Sequence, residues 1–146
     1  MATAADLKNE FITGAIATQQ MFYDLIDNCT NDVSTESSNT GISGIVMNMI
    51  SSGNVYNFWP QGSATANISV PTTGVALAQP TDFACLAGYT GGSVSVPAIE
   101  YDSTGAFVQE HILFVSSNGI FIFPNNTSGS TISSGNKLSS VIALIL

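Results

Sequence analysis

The sequence contains no arginine, two lysines and a single histidine among its 146 residues. A groove that holds a phosphate backbone needs clustered Lys or Arg side chains to displace counterions. Between Lys8 and Lys137 only His111 could carry positive charge. That argues against nucleic-acid binding, and against docking on anionic lipid headgroups for the same reason. Cysteine is equally scarce. Cys29 and Cys85 lie far apart with no metal-ligand spacing around them, so they read as buried free thiols rather than a disulfide framework. Phosphate-loop and dinucleotide fingerprints are absent, and no motif calls for a metal or cofactor. The longest apolar run, Val141–Leu146, is far short of the roughly 20 residues that span a bilayer. The opening Met-Ala-Thr-Ala-Ala-Asp has neither the basic start nor the apolar core of a secretion signal. The expectation is a chain made in the cytoplasm of its host cell.

Ten acidic residues set the net charge at -8, yet only 8% of residues are charged. With 45% hydrophobic residues the chain has enough apolar surface to fold. Its polar surface comes from Ser, Thr and Asn, which together supply 45 residues.

The chain divides into a helical head at residues 1–30, a polar linker at 31–40 and a body at 41–146. In the head, Thr3 can cap a short helix carrying Leu7 and Phe11 on one face, and Gly14 suits the position past its end. Thr18 reads as a second cap. Behind it Met21, Phe22, Leu25, Ile26 and Cys29 form an i, i+3, i+4 stripe. Helices this short are not stable alone. Phe11, Phe22, Leu25 and Ile26 must therefore pack on the body or on copies of themselves. Asp24 and Asp27 read as solvated surface.

The body reads as mainly β, an antiparallel sandwich or jelly roll behind the short helical segment. Strand candidates are Gly44–Ile50, Asn54–Trp59, Ala64–Val70, Val75–Ala78, Phe83–Tyr89, Val94–Ala98, Phe107–Val115, Ile120–Phe123 and Leu138–Leu146, with Ser128–Ser134 a polar loop or weak strand. Gly, Pro or Asn breaks them every 8–12 residues or so. Asn118-Gly119 is the strongest hairpin signal, and a turn at Asp102–Gly105 can fold strand 94–101 against strand 106–115. Ile112–Val115 and Val141–Leu146 are apolar on both faces, which a half-solvated sheet does not tolerate. Either an outer face is buried on a partner subunit, or the last strand is central and covered by the head. Ile112, Phe114, Val141, Ile142, Leu144 and Leu146 are thus candidates for core and intersubunit packing.

Catalytic constellations are thin. Strand alternation turns Glu110 away from His111. Glu100 or Asp102 could face His111 across a hairpin, but no nucleophile motif accompanies them. The same hairpin could bring Glu100 near Glu110, which reads as a structural placement before an acid/base pair or a calcium site. His111 reads as a partly exposed strand histidine, and no residue is assigned to catalysis. Tyr56, Phe58 and Trp59 form an aromatic cluster in which Tyr56 and Phe58 share a face and Trp59 takes the other. They are candidates for carbohydrate contact, and equally for core or subunit packing.

One segment carries a family resemblance. Asp6-Leu-Lys-Asn-Glu-Phe-Ile-Thr-Gly14 followed by Thr18-Gln-Gln-Met-Phe22-Tyr-Asp-Leu-Ile-Asp27 resembles the opening of structural proteins from phages and prophages of Bacteroidetes-type hosts. Many of those have Pro where this chain has Ala17. The resemblance implies an attachment or oligomerisation element followed by a β-rich spike, fibre or decoration domain, commonly trimeric. The expected protein is a non-enzymatic virion component. It is a homotrimer held to other virion proteins through its head; alternatively it is a receptor-binding module for a host-surface glycan.

Overall fold

The computed structural model describes residues 18–23 and 36–146. Residues 19–23 form a helical turn whose start is capped as its sequence demands: the Met21 amide donates to Thr18 Oγ1 at 3.2 Å. Phe22 is exposed there. Phe11, Leu25, Ile26 and Cys29 lie outside the described residues.

The remainder is mainly β, as its alternating pattern predicts. Eleven strands are found among the described residues: β1 (Glu36–Ser38), β2 (Val46–Ser52), β3 (Val55–Gln61), β4 (Ile68–Val70), β5 (Val75–Ala78), β6 (Val94–Tyr101), β7 (Phe107–Ser116), β8 (Gly119–Pro124), β9 (Ser130–Ile132), β10 (Lys137–Ser139) and β11 (Ile142–Ile145). They build a four-stranded sheet in the order β1-β2-β3-β11, a five-stranded sheet in the order β10-β6-β7-β8-β5, and the β4-β9 pair. Every pairing is antiparallel. β1 lies inside the stretch read as a polar linker, and pairs its backbone with β2 as an edge strand.

Inner faces meet in one core. Met47, Met49, Phe58, Ile142 and Leu144 come from the first sheet and Ala98, Leu113, Val115, Ile120 and Ile122 from the second. Ile68, Val70 and Ile132 of the β4-β9 pair join them. The β7–β8 hairpin forms where expected but one residue earlier: Ser117 and Asn118 make the turn, while Gly119, at φ +119°, opens β8 and pairs with Ser116. At the β6–β7 corner Asp102 Oδ1 accepts hydrogen bonds from Thr104 N, Thr104 Oγ1 and Ala106 N at 2.6–3.0 Å, an Asx-type turn closed by Gly105 at φ +85°.

Three expectations change. Phe83–Tyr89 is not a strand but a helical turn at Ala84–Ala87. Its apolar residues Phe83 and Leu86 are three apart and both buried, and the Leu86 amide donates to the Phe83 carbonyl at 2.9 Å. A short apolar run fits either period, and here the spacing of three prevails. The closing segment Leu138–Leu146 is two strands. β10 edges the five-stranded sheet and β11 the four-stranded one. The crossing falls at Ser140, whose hydroxyl donates to the Pro97 carbonyl at 2.7 Å. β11 is therefore an edge strand, not a central one covered by the head. In the Ala64–Val70 run, only Ile68–Val70 pairs as a strand.

Candidate functional site

A buried charge sits at the end of the five-stranded sheet. The β6–β7 register places Glu100 opposite Gln109 and Ala98 opposite His111. Alternation then sends Glu100, Gln109 and His111 to the inner face with Leu113, while Glu110 points outward. Glu100 and His111 have no exposed surface, so the expectation of a partly exposed histidine is corrected. Glu100 Oε2 lies 2.9 Å from His111 Nε2 and accepts from Gln109 Nε2 at 2.7 Å. Glu100 Oε1 accepts from Asn136 Nδ2 at 2.7 Å and from the Ser133 amide at 3.2 Å. Burial alone pushes the Glu100 carboxyl up. The donors from His111, Asn136, Gln109 and Ser133 outweigh it and hold the carboxyl below its ordinary value.

His111 turns its other ring nitrogen, Nδ1, towards β9. Ser130 Oγ lies 3.3 Å from it. The order carboxylate, imidazole, hydroxyl is that of a nucleophile relay; here it also ties β9 to the five-stranded sheet. Ser130 shares a strand face with buried Ile132, whereas Thr131 between them is exposed. Ser130 itself is half-buried, with its hydroxyl beside His111. The same cluster grips β9 at a further point, where Gln109 Nε2 donates to the Thr131 carbonyl at 2.9 Å. Taken together, these bonds fasten residues 130–136 to the sheet.

The outer face of the fastened segment is an open recess of about 390 Å³ lined by Ser69, Val70, Pro71, Ser128, Gly129, Ser130 and Thr131. Ser69 and Thr131 are cross-strand partners and both are exposed. No lining residue is ionisable. The loop beside it is shaped by Asn126 Oδ1, which accepts from the amides of Ser128 and Gly129 at 3.0 and 2.8 Å.

The aromatic cluster divides as its alternation predicts, but not into a platform. Phe58 is fully buried and meets Phe83 edge-on, with ring centroids 5.3 Å apart. Tyr56 packs partly buried against the core. Trp59 lies on the other face of β3, paired with Asn48. Phe58 has no surface to offer a sugar. Of the packing candidates, Ile142 and Leu144 are core residues, whereas Val141 and Leu146 are exposed. Ile112 and Phe114 are half-buried on the outer face of the five-stranded sheet. There they pair with Phe123 and Phe121, two residues that the sequence reading did not single out. The Phe114 and Phe123 rings stand edge-on at 5.5 Å.

Cys85 is a half-buried free thiol, its pKa raised by burial; Cys29 lies outside the described residues. Among the described residues no group of three His, Cys, Asp or Glu side chains could hold a metal, and no helix is long and apolar enough to cross a membrane.

No protein-family model and no curated protein matches the chain. A solved structure does. The head domain of phage bIL170, described among the receptor-binding domains of lactococcal phages, superposes with a TM-score of 0.52 at 15% identity. The match covers 78% of this chain and 96% of that domain. At this identity the likeness is one of fold: an antiparallel β domain of the kind found in that phage head domain.

Proposed function

We propose that this chain is a host-surface-binding module of a phage virion, acting by binding rather than catalysis. The observation that carries the reading is the sandwich itself, which matches nearly the whole length of a phage receptor-binding head domain. The low charge and the Ser, Thr and Asn surface suit an exposed, rigid virion part. The resemblance of residues 6–27 to phage structural proteins supports the same reading, with residues 1–30 joining the module to other virion proteins.

The module assembles as a homotrimer. Ile112, Phe114, Phe121 and Phe123 make an apolar, aromatic patch on the outer face of the five-stranded sheet. Such a composition is that of an interface core, where charge is depleted and aromatics are enriched. Antibodies raised against the full chain should label intact virions of a phage that encodes it, and the purified chain should compete with those virions for adsorption to their host. Labelling without competition would leave a structural part that does not touch the host. Absence of the chain from virions would overturn the reading.

A further inference from the structure

We propose that the recess on the outer face of the β4-β9 pair binds a neutral, hydroxyl-rich saccharide on the host surface. This rests on the receptor-binding reading and gives its site and ligand chemistry. Three observations carry it.

The first is the lining. Ser69, Ser128 and Thr131 present hydroxyls, and Pro71 and Gly129 add backbone and a small apolar edge. Hydroxyls both donate and accept, which matches a sugar's own hydroxyls. The volume of about 390 Å³ falls within the roughly 300–1,000 Å³ of small-molecule sites.

The second is the charge. Recognition of a phosphate or carboxylate draws on Arg or Lys. The chain has no arginine, and no lining residue is ionisable. A net charge of -8 repels an acidic polymer at a distance. The surface therefore selects against phosphate-bearing and uronic-acid glycans and in favour of uncharged ones.

The third is the support beneath. Ser130, Thr131, Ser133 and Asn136 are each bonded to the buried Glu100, Gln109 and His111 cluster. Weak hydroxyl contacts give useful affinity only when the surface is fixed in advance. A buried charged cluster holding the strand that carries Thr131 does that. The cluster serves as a positioning device for the recess, not as a reaction centre.

The test is a panel of immobilised oligosaccharides, in which neutral hexose and N-acetylhexosamine chains stand beside phosphorylated and carboxylated counterparts. The full-length chain should bind neutral probes, and tenfold more salt should change that binding by less than about twofold, as expected without an ion pair. Thr131→Trp fills the recess from an exposed position and should weaken binding at least about tenfold, while Ile145→Ala, at an exposed position on the four-stranded sheet, leaves it unchanged. Ser69→Tyr, on the partner strand, repeats the block should Thr131→Trp fail to fold. Preference for acidic probes, or neutral binding that survives both blocks, overturns the proposal. If no probe binds while the chain still binds intact cells, the ligand class is wrong and the receptor reading stands. If neither probes nor cells are bound, the receptor reading fails with it.

Discussion

At Glu100 a carboxylate without exposed surface is tolerated because its oxygens receive four hydrogen-bond donors. Glu100→Gln turns one acceptor into a donor facing donors and removes the partner of His111. The expected cost is about 3 kcal/mol, the scale for leaving buried hydrogen-bonding groups around a lost charge unsatisfied, read by denaturant unfolding at neutral pH. The pH dependence has a definite sign. The folded carboxyl lies below its ordinary value, so the stabilisation is fully present above the unfolded value of about 4.3. It is lost as pH falls through the folded one. Wild type should therefore lose stability with falling pH more steeply than Glu100→Gln in the acid range. Equal slopes would mean that Glu100 is not the anion described here. This cluster was half legible in the sequence. Asp-Ser-Thr-Gly is local turn chemistry, so a hairpin setting Glu100 or Asp102 against His111 was legible. The approach of Glu100 to Glu110 is not met, because Glu110 points outward from the opposite face. Asn136 and Ser133 come from a distant loop, and nothing in their neighbourhood announces a buried partner.

Among elements, the β7–β8 hairpin was legible at Asn118-Gly119, although its turn residues are Ser117 and Asn118 and Gly119 opens β8. A Cβ at Gly119 would lie 2.3 Å from the Ala78 carbonyl oxygen, and the residue holds a positive φ. Gly119→Ala should cost on the order of 2 kcal/mol, measured by thermal or denaturant unfolding; a neutral substitution would contradict that turn. Phe58 links the four-stranded sheet to the helical turn through Phe83. Phe58→Ala should cost about 3–5 kcal/mol in the same assay, as a core residue would and an exposed sugar platform would not. The helical turn was hidden in the sequence because Phe-Ala-Cys-Leu supports both a buried strand and one turn of helix. The split of the last segment was hidden for another reason. Leu138–Leu146 carries Ser139-Ser140 between its apolar stretches, but a serine pair does not by itself announce a change of sheet, and the Ser140 contact that accompanies it is to Pro97, more than forty residues away. The β4-β9 pairing is likewise long-range, so a recess made by Ser69 and Thr131 left no local trace.

For the whole molecule, the outer face of the five-stranded sheet decides the assembly. Phe114→Glu puts a charge in the middle of the aromatic patch and leaves the inner core untouched. In the trimer account, light scattering gives three chains per particle for wild type and one for Phe114→Glu, with the β content of both unchanged by circular dichroism. A wild-type monomer would contradict the trimer without touching the receptor-binding reading. The central claim is that this domain binds a bacterial surface. The most direct measurement is saturation binding of the fluorescently labelled full-length chain to intact cells of Bacteroidetes-type strains, read by flow cytometry against excess unlabelled chain. The account predicts saturable, competed binding to the strains that a phage encoding this chain infects. It predicts none to resistant derivatives altered in their surface glycan. Uniform, non-saturable staining of all strains, or none on sensitive cells, would contradict it.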